Sequence, residues 1–171
     1  YQYLGNALME NNRVTNTDLR GGRVPEDVDL LIVVAPYQLN ERQVFAIDQF
    51  LMQGGTVFLS TSTRNIHVEA NLEVRAHQSG LQQWLAHHGL EVGAGLVMDP
   101  VNTEFPVPVE RYVGTTSVQE IKRLPYPLFP DLRGDQLSRG SVITSGMDQL
   151  TVNWISPVSI DNVLSSTRKS T

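Results

Sequence analysis

Apolar positions are densest between residues 28 and 65, VDLLIVVAPYQLNERQVFAIDQFLMQGGTVFLSTSTRN, where three patterns follow one another without slack. Leu30 to Val34 is continuously apolar and rich in branched side chains, as expected of a strand covered on both faces. Pro36 stops it. Asn40 then stands where a helix cap is needed, with Gln43 three residues later to complete a capping box. Val44, Ile47 and Leu51 fall on one face of the helix that follows, while Arg42, Gln49 and Gln53 turn to water. Gly54 and Gly55 end that helix, and Thr56 to Leu59 resumes as a strand. The stretch predicts one βαβ unit, whose crossover is right-handed in nearly all proteins.

The flanks carry weaker periodicities. Tyr3 to Glu10 predicts a short helix with Tyr3, Leu4, Ala7 and Leu8 on its apolar face. A second helix is predicted at about Gly80 to His88, capped by Ser79 with Gln82 in the reciprocal position and burying Leu81, Trp84 and Leu85; Gly89 ends it. Leu90 to Val92 and Leu96 to Met98 read as short strands with a bend at Gly93 and Gly95. From Asp99 onward, Pro100, Pro106, Pro108, Pro125, Pro127 and Pro130 interrupt short apolar segments. Tyr112 to Val113, Val118 to Ile121, Val142 to Thr144, Leu150 to Ile155 and Val163 to Ser165 are strand candidates there. The resulting expectation is a single α/β domain over residues 1–171: a mainly parallel sheet with flanking helices, and irregular Pro-rich β additions in the C-terminal half.

Composition narrows the function classes. At 171 residues, with 40% hydrophobic and 18% charged residues, the chain can bury a real core. Its formal net charge of -5, with no basic run, argues against a nucleic-acid partner. No cysteine is present, which removes disulfides, thiolate nucleophiles and sulfur-ligated metals. The longest strongly apolar run is far shorter than the roughly 20 residues that span a bilayer. The chain starts at Tyr1 without an initiator Met or a signal-peptide pattern, so a fragment of a longer protein is expected.

Candidate chemistry collects at the exits of the two predicted parallel strands, where open α/β sheets bind ligands. Ser60, Thr61, Ser62, Thr63, Arg64 and Asn65 leave the second strand, and Arg64 suits a carboxylate or phosphate. Tyr37 and Gln38 leave the first and would line the same crevice. A solvated loop and ordinary turn residues are the commoner roles for such segments. Ser60 or Ser62 would be the nucleophile of a hydrolase, but no G-x-S-x-G elbow surrounds either. His67, His77, His87 and His88 lack metal-ligand spacing, and no glycine-rich phosphate loop precedes a helix, so no cofactor is expected. Tyr126, Pro127, Leu128 and Phe129 would form a docking strip or, more commonly, core; Trp84 and Trp154 read as core.

Four segments carry a family resemblance: DVDLLIVVAPYQLNERQVFAIDQFLMQGGTVFLSTS at 27–62, GLEVGAGLVMDPVN at 89–102, PYPLFPDL at 125–132 and SVITSGMDQLTVNWISPVSI at 141–160. In this order they resemble the auxiliary component of ABC-type transport systems of the gliding-motility-associated (GldG-like) family. The resemblance implies an extracytoplasmic (periplasmic) domain of an inner-membrane protein, anchored by segments outside this chain and working beside an ABC permease and ATPase. It also implies a fold similar to class I glutamine amidotransferases or flavodoxin. An amidotransferase needs a nucleophilic cysteine at a strand-to-helix elbow, so a non-catalytic accessory or binding role, with a glycan or peptide as possible ligand, is the expectation. A serine-dependent hydrolase or amidotransferase-like enzyme and a carbohydrate-binding module are the alternatives.

Overall fold

The computed structural model describes residues 2–68, 72–114, 116–138 and 140–161. Its contacts divide the chain into two units. One comprises the stretch up to Thr61 together with Gln78–Leu85; the other comprises Ser62–His77 and the chain from Ala86 onward.

The first unit holds helix α1 (Gln2–Met9), strand β1 (Leu30–Val34), helix α2 (Glu41–Met52) and strand β2 (Thr56–Ser60). β1 and β2 are parallel, with Leu30 opposite Thr56 and Val34 opposite Ser60. The elements are where local chemistry predicts them. Asn40 accepts from the Gln43 amide at 3.0 Å while the Gln43 side chain accepts from the Asn40 amide at 3.0 Å, a complete capping box. At the other end, Gly54 takes a left-handed φ of 93°. There the Gly55 amide donates to Phe50 and the Gly54 amide to Leu51, the paired bonds of a Schellman ending.

Burial along β1 alternates: Leu31 and Val33 are buried, whereas Leu30 is 47% exposed. Phe58 on β2, on the Leu30 face, is 53% exposed. Coverage of both faces, which the continuous apolar run suggests, is therefore absent among the described residues. Ala46 and Ile47 of α2, with Leu19, Pro36, Leu81 and Leu85, are also buried in this unit.

Among the described residues, every strand pair of the second unit is antiparallel. Strand β3 (Arg64–His67) pairs with β4 (Glu73–Ala76). Helix α3 (Gln82–His87) follows, its first residues lying in the first unit. Strand β5 (Leu90–Val92) pairs with the distant β9 (Val158–Ile160). Between them, β6 (Asn102–Val113) and β7 (Thr116–Arg133) form a long ribbon, and β8 (Gln149–Thr151) adds to the end of β7. The rings of Phe105, Tyr126, Phe129 and Trp154 cluster at the base of this ribbon, meeting mostly edge to face with centroids 4.8–6.4 Å apart. Phe129 and Leu137 are buried there. Each such ring pair contributes about 0.5–1.5 kcal/mol beyond its area.

The expected fold is thus corrected. Instead of a mainly parallel, amidotransferase-like or flavodoxin-like α/β sheet, the described residues form one parallel pair, β1 with β2, and antiparallel ladders elsewhere. The physical reason lies in the connections. A parallel neighbour needs a crossover of a dozen or more residues, and α2 supplies one. β3–β4 and β6–β7 are joined by short links that return the chain antiparallel, and β5 closes on β9 rather than on a parallel neighbour. Leu96 to Met98 forms no strand, although Val97 donates to Ile155 at 2.9 Å. Val142 to Thr144 is turn, with Val142 94% exposed, and Leu150 to Ile155 is strand only to Thr151. Val163 to Ser165 lies outside the described residues.

One backbone approach in the first unit is diagnostic. Gly80, at φ 86°, packs against Leu39 so closely that an added Cβ would sit 2.3 Å from the Leu39 carbonyl oxygen. Gly80→Ala should therefore destabilise the protein by about 1–3 kcal/mol, from backbone strain and steric displacement. Urea denaturation followed by circular dichroism measures the loss, and an unchanged midpoint would contradict the packing.

Candidate functional site

The residues expected to share a crevice fall in different units. Tyr37, Gln38, Ser60 and Thr61 belong to the first, and Ser62, Thr63, Arg64 and Asn65 to the second.

In the first unit the exit of β1 is tightly held. The Ala35 amide donates to the Ser60 carbonyl at 2.8 Å, continuing the parallel ladder one residue past the strand. The Gln38 and Leu39 amides then donate to the carbonyls of Gln78 and Ser79, each at 2.9 Å. Ser79 is buried and its hydroxyl accepts from the Leu81 amide. Ala35 and Gln38 both carry left-handed φ values, 44° and 48°. For residues with a Cβ this conformation costs free energy, and it persists because the surrounding backbone bonds determine it. Between them Tyr37 stands 66% exposed. Ser60 is exposed, while the Thr61 hydroxyl oxygen is buried without a hydrogen-bond partner among the described residues.

Beside β1 lies a cavity of about 1000 Å³, formed wholly within the first unit. Leu4 and Leu8 of α1, Val24, and all of Leu30 to Val34 line it, and so do the charged residues Arg13, Asp18, Arg20, Asp27 and Asp29, of which Arg13 and Asp27 form an ion pair. The Ala35 bond to Ser60 fixes which backbone groups point where: Leu31, Val33 and Ala35 face β2, so the N–H and C=O of Leu30, Ile32 and Val34 face away. No strand pairs with that edge among the described residues. A concave cavity with apolar walls and polar groups at its margin is a usual form of a binding site, and an open strand edge adds a row of donors and acceptors. This cavity was not legible in the sequence, because its lining comes from segments that no periodicity links.

In the second unit, the Ser62 hydroxyl lies 2.9 Å from that of Ser156 and accepts from the Arg64 amide at 3.1 Å. The Thr63 hydroxyl donates to the Gly93 carbonyl at 2.7 Å, and Arg64 Nε donates to the Ala94 carbonyl at 2.7 Å. These groups tie the 62–64 segment to residues 93–94 and 156. Arg64 and Asn65 are strand residues of β3 rather than an exit loop, and Asn65 pairs with Arg75. On β4 the Arg75 guanidinium, hydrogen-bonded to Glu73 at 2.7 Å, holds the Glu73 carboxyl below the usual carboxylate range.

Asp131 is the polar residue that sequence reading missed. It is 6% exposed, and its Oδ2 binds Arg133 Nη2 at 2.7 Å and Nε at 2.9 Å, while Oδ1 is buried without a partner among the described residues. The signal was available in PYPLFPDLR: an acid and an arginine two apart in a strand share a face. Among the described residues no group of three or more His, Asp or Glu is placed to hold a metal ion.

A family model described as ABC-type uncharacterized transport system matches residues 2–170. The chain belongs to this family. Neither a curated protein nor a solved structure matches it significantly. Membership in the transport-system family gives the chain an accessory role in such a system, with the transporter's other components as partners. Among the described residues no helix is long and apolar enough to cross a membrane.

The Asp131–Arg133 pair offers a check on the second unit. Arg133→Ala leaves a buried carboxylate without its cation and should cost about 1–2 kcal/mol of stability, less than a fully buried pair because Arg133 is largely exposed. Thermal denaturation reads the loss. A variant as stable as the parent would show that Asp131 is satisfied by other means.

Proposed function

We propose that this chain is a non-catalytic accessory domain that binds an extended peptide segment of its ABC transport system, most naturally a loop of the permease, on the extracytoplasmic side of the membrane. The observation that carries the reading is the cavity beside β1. Its apolar walls would accept side chains, and the outward-facing amides and carbonyls of Leu30, Ile32 and Val34 would bond to the peptide backbone as an added strand. The size of the cavity, about 1000 Å³, matches the upper range of ligand sites. The family membership supports the choice of partner. Resemblance to the gliding-motility-associated branch supports a motility or exporter-type system and a periplasmic, membrane-anchored setting.

Peptides covering the extracytoplasmic loops of the cognate permease, screened by thermal shift alongside glycans and lipids, test this reading. One or more peptides should stabilise the protein, by about 2.7 kcal/mol at a hundredfold excess over Kd. Val24→Asp, which places a charge on the cavity wall, should abolish the shift while leaving the circular dichroism unchanged. Stabilisation by glycans alone, or peptide binding indifferent to Val24→Asp, would overturn the proposal.

A further inference from the structure

The ribbon of β6 and β7 is long, and its two outer edges are built differently. Every described residue of β7 from Thr116 to Pro125 is exposed, including Ile121 at 72%, Val118 at 49% and Leu124 at 39%. Val113 pairs with Thr116 across two intervening residues, so this pair closes the ribbon with hydrogen bonds and bonded pairs alternate from it. Val109–Glu120 and Val107–Lys122 are then bonded pairs, whereas Pro108–Ile121 and Pro106–Arg123 are not. The prolines agree with this phase, since a residue without an N–H must sit where its nitrogen points outward. On β6, Pro106 and Pro108 therefore remove donors from the outer edge, a common protection against strand addition.

The outer edge of β7 has no such guard. Ser117, Gln119, Ile121 and Arg123 direct their N–H and C=O groups outward there, by the same alternation. Further along β7, this side is occupied: Val152 donates to Pro130, Trp154 donates to Leu128, and β8 pairs with residues 131–133. Among the described residues no strand pairs with the outer edge of β7, the one away from β6, between Ser117 and Leu124.

The open segment, Val118-Gln119-Glu120-Ile121-Lys122-Arg123-Leu124, is complementary to itself when reversed about Ile121. Antiparallel pairing of two copies about that residue sets Ile121 against Ile121, Glu120 against Lys122 twice, Gln119 against Arg123 twice and Val118 against Leu124 twice. The outward backbone groups of Gln119, Ile121 and Arg123 would meet in bonded pairs, and Pro125, with no N–H, would end the ladder. Centring the pairing on Glu120 would instead oppose two carboxylates and place non-bonding positions at the axis. We propose that two copies of this chain associate through the outer edges of β7, antiparallel about Ile121, into a four-stranded sheet. A two-fold contact of this kind is self-complementary and closed, and it converts a marginal two-stranded ribbon into a wider sheet.

Sedimentation equilibrium over a concentration series, on the parent chain and the single variants Lys122→Glu and Glu120→Lys, tests the proposal. The parent should dimerise. Each variant alone opposes like charges at two symmetric places and should dimerise at least about tenfold more weakly. Mixing the two variants restores both acid–base pairs in a heterodimer, so the mixture should associate as the parent does. Ile121→Pro should give a monomer with an unchanged circular dichroism spectrum, because Ile121 contributes no bond to the β6 ladder. A parent that remains monomeric, single variants that dimerise like the parent, or a mixture no tighter than its components would each overturn the proposal.

Discussion

A strand presents hydrogen-bonding groups to both of its edges, and water or another strand must satisfy each row. In this chain that requirement is met on one side of β1 and on one side of the upper part of β7, and it organises what each unit can do. β1 bonds to β2 through Leu31, Val33 and Ala35, leaving the backbone groups of Leu30, Ile32 and Val34 pointing away from β2. β7 pairs with β6 from Thr116 to Pro125, leaving Ser117 to Arg123 open on the far side until residues 152–154 and β8 take over. The prolines of β6 show that an edge in this chain can be closed by sequence alone.

These two edges differ in what accompanies them. Beside β1 the neighbouring surface is concave and combines apolar walls with charged and polar residues, which suits the side chains of an incoming segment from a different chain. Along β7 the accompanying side chains alternate charge and apolar character in a self-reversing order, which suits a second copy. An accessory component of a transporter has use for both kinds of contact, one to reach its transporter and one to assemble with itself. The strained exit of β1, with Ala35 and Gln38 left-handed, fixes one end of the first edge.

What could be read from the sequence was what depends on near neighbours. The Asn40–Gln43 box, the Gly54–Gly55 ending, the bounds of β1 and the start of β2 follow from residues a few positions apart, and they agree with the structure; β2 runs one residue further, to Ser60. What could not be read was pairing at a distance. β5 meets β9 across most of the second unit, and nothing in LEV or VSI announces the other. Prolines 106 and 108 interrupt the apolar pattern of the sequence, yet they occupy outward positions of β6 where no ladder bond is lost, so the strand runs through them. The polar run Ser62 to Asn65 looked like an exit loop because its hydroxyls favour turns. Instead those of Ser62 and Thr63 bond to Ser156 and Gly93, and β3 begins at Arg64. The position of the candidate crevice was legible to the extent that Tyr37 and Gln38 do leave a parallel strand; the cavity beside that strand was not.

The central claim, that β1 is bonded on one edge and open on the other, is tested most directly by residue-resolved amide hydrogen exchange under native conditions. The amides of Leu31, Val33 and Ala35 should be protected by the β2 ladder, and those of Leu30, Ile32 and Val34 should exchange much faster, giving an alternating pattern along the strand. Uniform protection from Leu30 to Ala35 would mean that a partner already fills the second edge, and would contradict the account.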